Sequence, residues 1–206
     1  MRELIANISP NLAELLSFFI SVALLQNIIL TTGFGSSVML HMVKKPKNIW
    51  LFSGILGFFS VLTVLIAYPL DNRLFLSDMN NIWRPFMMVG ITAVLYVVTT
   101  PVIRRAAPQF YQRVSALLPM AAFNNLVTGI ALVCNAHFGT NLAGNVGLAF
   151  GSALSFGLVT WLTAEGIERM DNPDMPDAFR GAPSTLIYVG LLALALMGFV
   201  AGAPLV

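Results

Sequence analysis

The chain has 206 residues, of which 57% are hydrophobic and only 10% are charged, and its formal net charge is +2. Soluble domains carry about 25% charged residues, so this composition excludes a soluble enzyme, and no basic face indicates nucleic-acid binding. We expect one integral membrane domain that covers residues 1–206.

Six apolar stretches follow one another along the chain, and each is long enough to cross a bilayer. A hydrocarbon core about 30 Å thick requires about 20 apolar residues in a helix. Continuous apolar runs without strict alternation favour helices over the strands of a barrel. The sequence therefore predicts an all-α membrane protein with six transmembrane helices. The predicted spans are Leu12–Leu30, Ile49–Tyr68, Pro85–Ile103, Leu117–Val133, Val146–Ala164 and Thr185–Gly202.

The basic residues concentrate in alternate loops. By the positive-inside rule, loops rich in Lys and Arg face the cytoplasm. The loops after the first, third and fifth spans hold Lys44, Lys45, Lys47, Arg104, Arg105, Arg113, Arg169 and Arg180. This distribution predicts a multi-pass protein of the bacterial cytoplasmic (inner) membrane with both termini on the non-cytoplasmic side.

The first and the fourth span share a polar interruption. Amides, threonines and glycine at equivalent places in two halves are typical of a 3+3 inverted repeat with paired broken helices. The alternative is that the amides only form hydrogen bonds with neighbouring helices. On the first interpretation, the residues that line the centre of the molecule are Asn27, Thr31, Thr32, Gly35, Asn124, Thr128 and Gly129.

Two further patterns concern glycine. The string Gly33–Ser37 lacks the lysine and the preceding strand of a phosphate-binding loop, so it predicts an unwound segment between half-helices. Gly147, Gly151 and Ser155 recur at four-residue steps in the fifth span, as do Gly198 and Gly202 in the sixth. Such stripes predict close helix packing, either within the chain or against another subunit.

Three groups of residues, taken in order and spacing, resemble a known family. They are Gln26-Asn27-Ile28-Ile29-Leu30 with Gly35 downstream; Leu118-Pro119 followed by Asn124 and Gly129-Ile130-Ala131-Leu132; and Ala178-Phe179-Arg180-Gly181 followed by Met197-Gly198-Phe199. The family comprises the RnfA and NqrE subunits, which are the small six-helix membrane subunits of Rnf and Na⁺-translocating NADH:quinone oxidoreductase complexes.

The resemblance implies an assembly and a cofactor. The subunit would pair with a homologous membrane subunit of opposite topology and associate with further Rnf/Nqr-like subunits. Each of the two homologues would donate one cysteine from each of its half-helix regions to a shared [2Fe-2S] cluster. Thiolates are the usual ligands of such clusters. Electron transfer through the complex would be coupled to the movement of Na⁺ or H⁺.

This chain departs from the family at the cluster ligands. Ser37 and Asn125 stand where the family has its two cysteines, and neither a hydroxyl nor an amide equals a thiolate as an iron ligand. The only cysteine, Cys134, lies about 2.5 turns beyond Asn125. The sequence therefore leaves the cofactor unknown and predicts neither metal ligands nor catalytic residues.

Three functions remain open at this stage. The resemblance favours a subunit of an ion-translocating membrane electron-transport complex that is non-catalytic alone and belongs to a redox-driven translocase. One alternative is an inverted-repeat transporter subunit for an ion or small solute. Another is a structural subunit whose small-residue faces hold the assembly together.

Overall fold

The computed structural model describes residues 2–25, 27–74, 82–137, 142–170 and 176–200, and within these ranges the chain is helical, without strands. Gln26 and Gly202, which entered the sequence predictions, lie outside the described residues. The α-helices are α1 (Arg2–Ile20), α2 (Ile28–Thr32), α3 (Ser36–Val43), α4 (Ile49–Leu74), α5 (Trp83–Ala106), α6 (Pro108–Val114), α7 (Leu117–Ala122), α8 (Asn125–His137), α9 (Leu142–Met170) and α10 (Ala182–Val200).

Four helical stretches in the described part of the chain are long and apolar enough to cross a membrane. They are Pro46–Leu70, Trp83–Ala106, Leu117–Cys134 and Leu142–Met170, and they coincide with the second to fifth predicted spans. The prediction of an all-helical membrane protein is thus confirmed. The first and sixth predicted spans correspond to two shorter apolar helical stretches, Pro10–Ala23 and Ala182–Leu196.

Helix α9 is the central helix of the bundle, and its small residues determine what packs against it. A Cβ atom added to Gly147 would collide with the backbone carbonyl of Leu15 in α1, and one added to Gly151 would lie 2.7 Å from the carbonyl oxygen of Phe19. The predicted close packing therefore involves α1 of the same chain. Gly198 of α10, by contrast, is exposed and has no neighbour within 4 Å of such an added atom.

Contacts along α9 also fix the directions of its neighbours. Residue numbers rise together in α1 and α9, so these two helices are parallel. Against α4 they run in opposite senses, because Ala153 contacts Gly57 whereas Gly157 contacts Ser53. The Ser53 hydroxyl donates a hydrogen bond of 2.6 Å to the carbonyl of Ala153. Helices α1 and α9 therefore enter the bundle from the side opposite to α4.

The basic loops meet at one end of this bundle, called the basic end below. Residues of α3, the C-terminal part of α9 and the start of α10 line one common cavity there, and the beginning of α4, the end of α5 and α6 line another. The cations of the basic end are Lys44, Lys45, Lys47, Arg104, Arg105, Arg113, Arg169 and Arg180. The alternate-loop pattern thus corresponds to a real asymmetry of charge.

Two helices leave most of their apolar surface uncovered. Only 17% of the most apolar stretch of α5 is buried, and Val94, Val97 and Val98 are exposed along it. Helix α10 exposes Leu191 and Leu194 in the same way. Such large apolar faces are suited to lipid or to other membrane proteins.

Candidate functional site

The first interruption of the helical chain is built around Asn27. Helix α1 continues as one wide π-helical turn, Ser21–Leu25, and α2 begins immediately after Asn27. The Asn27 side chain is buried, and its Oδ1 accepts hydrogen bonds from the backbone N–H groups of Ile29 (3.1 Å) and Leu30 (3.2 Å). The asparagine thus caps a helix start inside the protein, where water cannot do so.

Helix α2 ends after little more than one turn, because two glycines take the left-handed conformation. Gly33 has φ 74° and Gly35 has φ 79°, a region that costs other L-residues about 1–2 kcal/mol. The N–H of Gly33 closes the helix by donating to the carbonyl of Ile29 at 2.9 Å. Residues Gly33–Gly35 therefore form an unwound segment between α2 and α3.

The second interruption repeats the first with Asn124 in the same role. Helix α7 ends at Ala122 and α8 begins at Asn125, inside the apolar stretch Leu117–Cys134. Asn124 is buried, and its Oδ1 accepts the N–H of Leu126 at 3.0 Å. A buried asparagine therefore opens the second half-helix in both interrupted segments.

The two interruptions touch one another. The Oδ1 atom of Asn125 accepts a hydrogen bond of 2.7 Å from the backbone N–H of Gly35, which is 90 residues earlier in the chain. A Cβ atom on Gly35 would lie 3.4 Å from Oδ1 of Asn124, and one on Gly129 would lie 2.5 Å from the ring of Phe34. Glycine at both positions permits this contact, which is called the junction below.

The junction has an inner and an outer layer. Thr31 and Thr128 donate their hydroxyl protons to the backbone carbonyls of Asn27 (3.0 Å) and Asn125 (3.3 Å). Of the predicted lining residues, Asn27, Gly35, Asn124 and Gly129 are buried, Thr128 is half-buried, and Thr31 and Thr32 are exposed; Ser37 and Asn125 are also exposed. The structure thus brings the two motifs together while leaving one edge of them open.

Two contributions to the junction were missing from the sequence predictions. The ring of Phe156 in α9 would lie 3.5 Å from a Cβ atom on Gly35, and the hydroxyl of the neighbouring Ser155 is buried without a hydrogen-bond partner, as is Nδ2 of Asn124. The stripe Gly147, Gly151 and Ser155 was the available signal, but it indicated packing and not which loop it would pack against.

The residues at the junction do not fit an iron–sulfur cluster. The amide oxygen of Asn125 already accepts the N–H of Gly35, and Ser37 offers only a hydroxyl. Cys134 is buried between α8 and α9, where its thiol points to the carbonyl of Asn145 at 3.7 Å. Among the described residues, no three His, Cys, Asp or Glu side chains gather as metal ligands would. This chain therefore supplies no thiolate at the junction.

Replacing Asn125 tests the contact between the two interruptions. We expect Asn125→Leu to lower the free energy of unfolding by about 1–3 kcal/mol, because the Gly35 N–H loses its acceptor in a water-poor environment. The measurement is thermal or denaturant unfolding of the purified protein in one detergent. Ser37→Ala is the matched control, since Ser37 is exposed in the same region; equal stability of both variants would contradict the role given to Asn125.

Comparison with known proteins agrees with this architecture. Residues 15–202 match the family described as "Rnf-Nqr subunit, membrane protein". Similar curated proteins are each named as one of the subunits of an ion-translocating oxidoreductase complex. The protein from Pasteurella multocida is 31% identical, over 91% of this chain and 97% of its own length. The protein from Histophilus somni is 35% identical, over 87% and 93%.

A third relative of the same name, from Shigella flexneri, is 30% identical over 91% of this chain and 97% of its own length. These matches cover all the long apolar helices and both interruptions. The similarity is therefore one of whole chains and not of a shared apolar segment. The chain belongs to the Rnf-Nqr family of membrane protein subunits.

Proposed function

We propose that this chain is part of an ion-translocating oxidoreductase complex of the bacterial cytoplasmic membrane, crossing it six times with both termini on the non-cytoplasmic side. The relatives carry the name of such a complex. The shorter apolar stretches Pro10–Ala23 and Ala182–Leu196 supply the first and last crossings in this proposal. The cations of the basic end then lie in the cytoplasm, as the positive-inside rule requires.

The six crossings form a 3+3 inverted repeat in this proposal. Two observations support it. Asn27 and Asn124 perform the same capping task at the starts of α2 and α8. Helix α1 and helix α4 also run in opposite directions against α9, so three crossings separate the first interrupted helix from its equivalent. An odd number of crossings makes the two halves enter the membrane from opposite faces.

The open edge of the junction is the observation that carries the proposal. Thr32, Gly33, Ser37 and Asn125 are exposed, although Asn125 lies inside an apolar stretch that would cross the bilayer. Irregular backbone in the hydrocarbon region is tolerated only where protein or a cavity covers it. We infer that a homologous subunit of opposite topology covers this edge, so that the interrupted helices of both subunits face each other.

Each residue of the junction then has a defined task. Asn27 and Asn124 satisfy the N–H groups that an interrupted helix exposes, and Gly33 and Gly35 turn the chain between half-helices. Asn125 holds the two interruptions at a fixed separation. No step of electron transfer is assigned to this chain, because it has no thiolate at the junction; the role left to it is to shape the centre of the subunit pair.

Site-specific cross-linking tests the covered edge. A photoreactive amino acid at Ser37 is expected to cross-link to a homologous membrane subunit in the native complex. The same group at Val98, which is exposed on the apolar face of α5, is the control and should not give that product. Labelling of engineered cysteines near each terminus, in a chain whose natural cysteine is buried, should react from the same side of the membrane.

Three results would contradict parts of the proposal. Termini labelled from opposite sides would contradict six crossings. A purified chain that lacks any homologous subunit and transports an ion or solute in proteoliposomes without an electron donor would indicate a transporter instead. Iron that remains with this subunit pair and is lost on Ser37→Ala or Asn125→Ala would contradict the statement that this chain provides no ligand.

A further inference from the structure

A second feature lies away from the junction, at the basic end. Helices α4, α5 and α6 enclose a groove of about 450 Å³ whose walls include Trp50, Gly54, Phe58, Ile103, Phe110 and Val114. This volume lies within the range of about 300–1,000 Å³ that is typical of small-molecule sites. Every side chain that lines the groove is apolar, so an occupant must present a hydrocarbon surface.

The groove opens sideways and not into the bundle. Trp50 and Phe58 of α4 and Phe110 of α6 are 50%, 48% and 45% exposed. Gly54 leaves the wall between them low, since no atom lies within 4 Å of a Cβ atom built on it. Because the surrounding solvent of a membrane protein is lipid, the groove is accessible to molecules of the bilayer.

A cation stands at the basic end of each wall of the groove. Lys47 lies one turn before Trp50, Arg104 follows Ile103, and Arg113 precedes Val114. All three are exposed, and the ion pair observed in the described ranges joins Arg169 to Glu165 on α9 instead. The segments 44–70 and 82–118 contain no Asp or Glu, so the field at the mouth of the groove is uniformly positive.

We propose that the groove binds an anionic phospholipid, with an acyl chain between α4, α5 and α6 and the headgroup phosphate among Lys47, Arg104 and Arg113. Apolar walls with a basic rim match the two parts of such a lipid, and basic pockets between membrane helices are known to select anionic headgroups. The aromatic rings of Trp50 and Phe110 occupy the level at which aromatic side chains prefer to lie, between hydrocarbon and headgroups.

The charge component is tested on the purified complex with lipids of equal chain length. Native mass spectrometry with added phosphatidylglycerol or phosphatidylcholine is expected to show preferential retention of phosphatidylglycerol. The triple variant K47Q/R104Q/R113Q should weaken that retention about 100-fold, since each cation near a headgroup contributes roughly a factor of five. Arg169→Gln, which removes a charge of the same end but of another helix, should change it little.

The groove itself is tested by filling it. Gly54→Leu places a side chain in open space, so the fold should be retained while the acyl chain is displaced, with a loss of phosphatidylglycerol retention of tenfold or more. Gly90→Leu is the matched control, because Gly90 of α5 is also exposed and likewise has no neighbouring atom within 4 Å. Unfolding temperatures of both variants verify that the fold is intact.

Distinct results would overturn the proposal. Equal retention of the two lipids by the unchanged complex would remove the anionic headgroup from it. Normal phosphatidylglycerol retention in Gly54→Leu would show that the lipid binds elsewhere. A photoreactive group at Phe58 that cross-links to a polypeptide, and not to lipid, would identify the groove as a contact with another protein of the complex.

Discussion

Gly147→Ala is expected to destabilise this chain by about 3 kcal/mol, although the same exchange at an open position of a helix is neutral or favourable. The added methyl group would collide with the backbone carbonyl of Leu15, and a helix backbone cannot move aside as a flexible side chain can. Overpacking at such sites costs about 1–3 kcal/mol and sometimes more. Unfolding of the purified protein in a single detergent measures the effect.

The control is Gly190→Ala in α10, where an added Cβ atom meets nothing within 4 Å. Alanine has a higher helix propensity than glycine by about 1 kcal/mol, so this variant should be at least as stable as the parent. Gly151→Ala should resemble Gly147→Ala, because its added atom would lie 2.7 Å from the carbonyl oxygen of Phe19. Equal stability of all three variants would disprove the close α1–α9 contact.

Asn124→Leu is expected to lower both the stability of the chain and the ion-coupled activity of its complex. Losing a cap costs about 0.5–2 kcal/mol in soluble proteins, and the freed N–H of Leu126 finds no water inside an apolar stretch. A total of about 3 kcal/mol is therefore the expected loss. Asn27→Leu should have an effect of the same size, since two N–H groups lose their acceptor there.

Asn124→Ser separates the two readouts. Serine retains an oxygen that can cap a helix but lacks the buried amide nitrogen, which has no partner in the structure. We expect it to recover most of the stability lost in Asn124→Leu, as measured by unfolding, while complex activity shows whether the amide nitrogen itself is needed. Full stability of Asn124→Leu would contradict the capping role outright.

The interruptions were predictable from sequence because the responsible residues leave local signals. Hydropathy located the long helices, and Asn27, Asn124, Gly33 and Gly35 are residue types that interrupt a helix for reasons contained in their own side chains or backbone freedom. The predicted first span nevertheless differs from the structure. The end of this span, Leu12–Leu30, is divided by the capping of Asn27 into a wide turn and the short α2.

What the sequence could not provide is which surfaces meet. A four-residue stripe such as Gly147 and Gly151 indicates close packing but carries no information about its partner, which proved to be α1. Likewise, the pairing of Phe34 with Gly129 depends on how far two distant segments approach. The exposure of Thr31 and Thr32 has the same origin, because burial is decided by the helices that surround a segment and not by the segment itself.

The hydrogen bond from Gly35 to Asn125 has a consequence for biosynthesis. The acceptor leaves the ribosome 90 residues after the donor, which at about 5–20 residues per second corresponds to roughly 5–20 seconds of translation. During that interval the first three segments must already reside in the translocon or the adjoining membrane with one peptide amide still unmet. The nascent first half therefore completes its own fold only when the second half arrives.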